Sequence, residues 1–151
     1  MNYPKTIIYT DGSGQSPYSN GYFAWYENGR FYCIESRTPL TNNEAEYTAI
    51  CHALRERFQH QEITIFSDSQ LIINQLNGKY KIKDKDLKYL YEAVMGYVML
   101  YELHITFRWC PREENVAGIM LEKAIKANKT KQIKDSDNRA QNTKREINNE
   151  K

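Results

Sequence analysis

The sequence predicts a single α/β layered domain, a mixed sheet with helices on its faces. Two observations carry this: three β-rich runs separated by turn signals precede residue 38, and helical spacings alternate with two more short β-rich runs after residue 41. The resulting order is βββαβααβα. At 151 residues with 40% hydrophobic and 13% aromatic content, the chain holds one ordinary core and needs no second domain to explain its length.

The elements follow in order. TIIYT marks a first strand at about residues 5 to 10, and GYFAWYE (21–27) and RFYCIESR (30–37) flank Asn28-Gly29, the strongest short hairpin signal. Three successive strands of this kind make an antiparallel meander. Thr41 followed by Glu44 has capping-box spacing, and Tyr47, Ile50, Cys51, Leu54 and Phe58 then recur at three and four residues, the pattern of an amphipathic helix. ITIFS (63–67) is a short strand, Ser69 to Asn77 a helix closed by Gly78, and Asp84 to Tyr101 a longer helix. HITFRW (104–109) is the last strand, ended by Pro111, and helical spacing resumes near Glu114 through Leu121, Ala124 and Ile125.

Beyond about residue 127 apolar residues are few, and Ile133, Ala140 and Ile147 form one thin row, so this segment is expected to be disordered or a solvated helix. The domain reading is therefore a body at 1–126 and a polar, net basic tail at 127–151. Past residue 125 there are eight Lys or Arg (126, 129, 131, 134, 139, 144, 145, 151) against four acids (135, 137, 146, 150), a net of +4 that leaves −2 for the rest of a chain whose formal charge is +2. A near-neutral body does not advertise nucleic-acid binding through bulk charge, so placed residues must carry any such reading.

Cys33, Cys51 and Cys110 are odd in number, far apart and without CxxC spacing, which suits core thiols in a reducing, cytoplasmic compartment rather than zinc or disulfide chemistry. The most apolar stretch, AVMGYVMLY at 93–101, is far short of the roughly 20 residues of a membrane span. The histidines, His52, His60 and His104, fall on helix, loop and strand without a shared motif.

Three carboxylates stand out on this skeleton. Asp11 ends the first strand in YTDGSG, Glu46 lies early in the first long helix, and Asp68 ends the fourth strand. Strand ends and helix starts are where loops assemble sites. Each acid has a structural alternative: Asp11 beside Gly-Ser suits a turn, and Asp68 suits a helix cap, although Ser67 with Gln70 offers a capping box without it. Glu46 has none, because Glu44 is the capping partner and Glu46 sits on or beside the apolar stripe of Ala49, Ile50 and Ala53. A carboxylate there is costly unless it is paired or holds a cation. Jointly, three acids at one sheet edge favour a metal site.

TDGS (10–13), TNNEAEY (41–47), SDSQLIINQLNGKYK (67–81) and PREEN (111–115), in that order, resemble the successive motifs of ribonuclease H type I. The resemblance covers about residues 5 to 126. It implies the ribonuclease H-like fold, a five-stranded mixed sheet of three antiparallel strands with parallel additions, flanked by helices. It also implies a two-metal endonuclease, with Mg²⁺ as the ion and Mn²⁺ as an alternative, that hydrolyses the RNA strand of an RNA/DNA hybrid. The metal-binding acids then fall on Asp11, Glu46 and Asp68, with Asp11 as the bridging ligand. Hard oxygen ligands suit such ions, which neutralise charge on the attacking and leaving oxygens of phosphodiester hydrolysis. The short segment between Gly78 and Asp84 implies that the basic helical protrusion of some members is absent. No membrane, organic cofactor or obligate second copy is expected.

The chain departs from the family at the fourth acid, an Asp on the last helix. Here Asn115-Val-Ala-Gly-Ile-Met-Leu121 puts Ile119 at that position, or Gly118 if one residue is deleted. Glu122 is the candidate replacement, since Asn115, Gly118, Ile119 and Glu122 share a helix face and a longer side chain can lean back over the turn that Gly118 leaves open. The alternatives are a solvent-facing Glu122 and a catalytically impaired module that binds hybrid or other nucleic acid. Retention of three mutually repelling acids argues for the enzyme.

For substrate contacts the resemblance implies Gly12, Ser13, Asn42, Asn43 and Gln70 in the minor groove, where 2′-hydroxyls are read, with Ser69 among the substrate-binding residues. It implies Thr41 at a DNA phosphate, Arg112 near the scissile phosphate, and Asn115 orienting its loop. Lys79, Lys81, Lys83 and Lys85 suit either a phosphate track or a solvated surface, and the basic tail is expected to add weak, salt-sensitive affinity.

Overall fold

A computed structural model describes residues 5–14 and 20–149; residues 1–4 of the expected body, and Glu150 and Lys151 of the tail, lie outside the described residues. Strands β1 (Lys5–Ser13), β2 (Tyr22–Glu27), β3 (Arg30–Glu35), β4 (Glu62–Ser67) and β5 (His104–Trp109) form one sheet in the order β3-β2-β1-β4-β5. The first three pair antiparallel, and β4 and β5 add in parallel beside β1. This is the expected mixed sheet. The helices are α1 (Asn42–Leu54), α2 (Gln70–Leu76), α3 (Lys85–Leu100) and α4 (Val116–Asn149).

Local chemistry explains most boundaries. Asn28 and Gly29 both take positive φ, 51° and 76°, as a two-residue hairpin with right-handed strand twist requires. α1 opens on the expected capping box: the Glu44 N–H donates to Thr41 Oγ1 and the Thr41 N–H to Glu44 Oε1, each at 3.1 Å. Its stripe buries Tyr47, Ile50, Cys51 and Leu54. Phe58 does not extend it, because α1 ends at Leu54 and Phe58 is 78% exposed.

The start of α2 also differs from expectation. Ser67 remains in β4, so the chain turns only at 68–69 and Ser69 becomes the cap, its hydroxyl accepting the Ile72 N–H at 3.3 Å. Ser67 Oγ accepts the Ser69 N–H instead, at 3.1 Å. Asp84 caps α3 by accepting the Asp86 and Leu87 N–H groups, both at 2.9 Å.

Alternation along β1 sends Thr6, Ile8 and Thr10 into the protein. Ile8 joins Tyr47, Ile50, Leu54, Ile63, Ile65 and Ile72 in a core without solvent exposure; each such aliphatic side chain contributes about 1.5–3 kcal/mol. The Tyr47 hydroxyl donates to Gln75 Oε1 at 2.8 Å, so the core's largest polar edge is satisfied.

The chain divides into two compact units, Met1–Leu121 and Glu122–Lys151. Within the second, Ile133 and Ile147 are exposed, Lys126 pairs with Glu122 at 3.2 Å, and the hydroxyls of Thr130, Ser136 and Thr143 donate to carbonyls four residues back. Among the described residues no helix is long and apolar enough to cross a membrane.

Candidate active site

The site begins with a fork in the sheet. β1 and β4 pair in register as far as Tyr9 and Phe66, while β1 continues through Ser13 paired only with β2. Asp11 and Asp68 each lie two residues past that last pair. The first strand therefore runs past Asp11, and its turn alternative falls away, since pairing of Asp11 with Ala24 and Gly12 with Phe23 overrides the turn composition. Thr10 Oγ1 donates to the Phe66 carbonyl at 3.1 Å and holds the fork's base.

Gly12 brings in the third acid. It faces α1 so closely that a Cβ would overlap the Ala45 carbonyl carbon and the Glu46 nitrogen, so only glycine lets strand and helix backbones meet here. That contact sets Glu46, in the second turn of α1, beside Asp11. Asp11, Glu46 and Asp68 each offer an oxygen within 4.8 Å of the other two.

The cluster is buried as well as crowded. Asp11 shares strand parity with Ile7, which is 55% exposed, yet is itself only 3% exposed. Gly118 of α4 lies over it, where a Cβ would sit 3.2 Å from Asp11 Oδ2. Burial, then the Asp68 charge, raises the Asp11 carboxyl to about 6, and burial with the two neighbouring carboxylates pushes Glu46 well above its usual range. Asp11 Oδ1 and Glu46 Oε2 are buried without a hydrogen-bond partner. Orphaned acceptors in a buried acidic cluster fit a hard divalent cation, which would satisfy them and remove the repulsion.

The Asp68 side chain is held from one short segment, 112–115. Asn115, with no solvent exposure, donates through Nδ2 to the Thr10 carbonyl and to Asp68 Oδ2, both at 3.0 Å, and accepts the Gly118 N–H at 3.3 Å. Arg112, largely exposed, lies 3.6 Å from Asp68 Oδ2. Asn115 thus ties β1, Asp68 and the start of α4 together. Asn115→Ala leaves those groups unsatisfied and is expected to destabilise the protein by about 2–3 kcal/mol, read from urea melts.

The remaining expected residues distribute as follows. Asn42 accepts the Gly14 N–H at 2.8 Å, joining β1's exit to the start of α1, and Thr41 and Ser69 serve as helix caps. Thr41 and Asn43 line a pocket of about 230 Å³ with Glu44, Asp84, Asp86 and Leu87. Gln70 is exposed, while Gly12 and Ser13 are half-buried in β1. Of the two positions aligned with the missing acid, Gly118 is the one against Asp11, and Ile119 is exposed. Glu122 is exposed and pairs with Lys126.

Two residues escaped the sequence reading: Thr10, whose hydroxyl and carbonyl brace the fork, and Trp109, whose indole N–H donates to the Asp68 carbonyl at 3.1 Å. Both act on partners more than 40 residues away in sequence, so even Thr10, the first residue of the TDGS motif, shows its bracing role only in the fold.

The RNase H family model matches residues 3–149. The bifunctional protein Rv2228c of Mycobacterium tuberculosis is 28% identical over 119 residues, covering 74% of this chain and 32% of that protein; this chain spans about a third of the length of such curated relatives. LC11-RNase H1, isolated from compost and solved in complex with RNA/DNA hybrid, superposes with a TM-score of 0.70 at 26% identity, over 80% of this chain and 99% of that one. The N-terminal RNase H domain of Rv2228c, at 21% identity and TM-score 0.65 over 81% of this chain and 99% of that one, shares the fold.

Proposed function

This chain belongs to the RNase H family, and on that premise we propose that it is an endoribonuclease that hydrolyses the RNA strand of RNA/DNA hybrids with two divalent cations, Mg²⁺ or Mn²⁺. The observation that carries the reading is the convergence of Asp11, Glu46 and Asp68 within 4.8 Å, with two orphaned buried oxygens. A hybrid in the LC11-RNase H1 structure supports the substrate class.

Asp11, Glu46 and Asp68 would hold the cations, which would neutralise charge at the attacking and leaving oxygens and activate water. The protein's part is preorganisation. Asp11, which Gly12 sets against α1, would be the central ligand, Glu46 and Asp68 would complete the ligand set, and Asn115 keeps Asp68 Oδ2 in place. Arg112, mostly exposed at the rim beside Asp68, is assigned to a phosphate of the bound strand. Gly12, Ser13, Asn42, Asn43, Ser69 and Gln70 are assigned to the minor groove and Thr41 to a DNA phosphate; where their side chains cap or brace helices, the backbone they position makes the contact. The catalytic domain is taken as residues 1–126 and the net basic 127–151 as a tail. The chain is assigned to the cytoplasm and acts as a monomer.

Glu122 is assigned as the fourth acid, in place of the Asp that the family motif carries and that Gly118 and Ile119 do not supply here. The test is cleavage of end-labelled hybrid against duplex DNA, duplex RNA and single-stranded RNA, for wild type and Glu122→Gln. Hybrid-only cutting, abolished by EDTA and slowed about 10-fold or more in Glu122→Gln, is expected. Equal rates for the two proteins would remove Glu122 from the site, and cutting of other duplexes would overturn the substrate.

A further inference from the structure

We infer that Trp109 is a substrate-contacting residue, its exposed indole face forming an apolar platform for the sugars of the RNA strand beside the metal cluster. The inference rests on the hybrid nuclease reading and adds a contact that neither the acids nor the motif residues supply.

Trp109 ends β5 level with Ser67, the residue before Asp68. Its indole N–H donates to the Asp68 carbonyl at 3.1 Å, and the next residue's N–H, from Cys110, donates to the Ser67 carbonyl at 3.0 Å. The side chain is thus pinned at its polar edge. Even so, Trp109 is 45% exposed.

Scattered exposed apolar side chains are ordinary on a protein surface. Trp109 is different because its exposed ring is anchored to the main chain of a proposed metal ligand, and Arg112, three residues on, reaches the same Asp68. A ring already ordered before binding loses little conformational freedom when it gains a partner, which is why rigid aromatic side chains recur as anchors at interfaces. The partner's chemistry follows from location. A strand held for hydrolysis at Asp68 would lie within reach of a ring bonded to that residue's carbonyl. In a paired duplex the base faces are stacked inside, so the indole meets the sugar flank of the groove, where the 2′-hydroxyls lie.

Two substitutions separate contact from support. Trp109→Phe keeps an aromatic face and removes the donor; Trp109→Gln keeps an N–H donor and removes the face. Hybrid binding is read by anisotropy of a labelled hybrid in the cleavage-deficient Asp11→Asn background, and KM and kcat are read in the otherwise native protein. Trp109→Gln is expected to weaken binding and raise KM roughly 10-fold, and Trp109→Phe, which keeps the face, to bind hybrid more tightly than Trp109→Gln. Weaker binding by Phe than by Gln, or unchanged binding by Gln, would overturn the inference and leave Trp109 a prop for Asp68. Emission guards against a misfolded variant: in Trp25→Phe, where Trp109 is the remaining tryptophan, added hybrid is expected to change the fluorescence, and an unchanged spectrum at saturating hybrid would overturn the contact. Failure of the wild type to bind hybrid at all would instead strike the nuclease reading.

Discussion

Asp11→Asn is expected to make the metal-free protein more stable and to erase its stabilisation by Mg²⁺. The two effects have one origin. Burial, then the Asp68 charge, raises the Asp11 carboxyl to about 6. A folded-state value above the unfolded one means the ionised form opposes folding. The penalty is therefore absent at low pH, grows as pH rises from about 4 through about 6, and is constant above that. Asparagine carries no charge at any pH. At pH 8 without metal, the variant should gain about 2 kcal/mol, a rise in melting temperature of several degrees, and the gain should shrink toward pH 4. Saturating Mg²⁺ should raise the melting temperature of wild type and leave the variant nearly unmoved, because a ligand stabilises only the state it binds. Melting curves at pH 4.5 and 8, with EDTA and with Mg²⁺, check all four expectations. A destabilised variant at pH 8 in EDTA would mean that Asp11 is held by attractive contacts and is not poised for a cation.

The second large effect belongs to Gly12→Ala. The added methyl overlaps the backbone of Ala45 and Glu46, and backbone, unlike a flexible side chain, cannot step aside without moving α1. That helix buries Tyr47, Ile50 and Leu54, so displacing it damages the core and separates Glu46 from Asp11. A loss of about 3 kcal/mol or more, near 10 °C in melting temperature, is expected, together with loss of Mg²⁺ binding. Gly96→Ala is the control. It sits in α3 with nothing within 4 Å of the new Cβ, and helix propensity favours alanine by up to about 1 kcal/mol. Similar melting temperatures for the two variants would refute the close-approach account of the Asp11–Glu46 pairing.

Much of this architecture was legible in the chain because its signals are local. Thr41 and Glu44 announce α1 by their spacing, and Asn28-Gly29 announces the hairpin by the φ values those residues tolerate. The acidic cluster was legible because a buried-face Glu46 without a capping task is anomalous. What escaped was decided at a distance. Asp11-Gly12-Ser13 reads as a turn, but β2 supplies strand partners that local composition cannot foresee. Asn42 looks like a helix-start residue, and its tie to Gly14 spans 28 residues. Phe58 keeps the helical rhythm after the helix has ended. Gly118 reads as a gap in a motif, and only the packing of α4's first turn against Asp11 makes it part of the site. Trp109 carries no sequence signal, since its bond to Asp68 joins the end of β5 to the residue after β4, 41 residues away.

The carboxylates at the sheet's fork are proposed to hold the cations needed for hydrolysis of the RNA strand. The most direct test is single-turnover cleavage of an end-labelled RNA/DNA hybrid with Mg²⁺ and with Mn²⁺ by wild type and by Asp11→Asn, under conditions where both proteins are shown to bind the hybrid. RNA-strand cutting by wild type that falls at least about 10³-fold in Asp11→Asn is the expected result. Hybrid bound by wild type and left uncut with either metal would contradict the claim, and would make the glycine at 118 the mark of a module that binds nucleic acid without turnover.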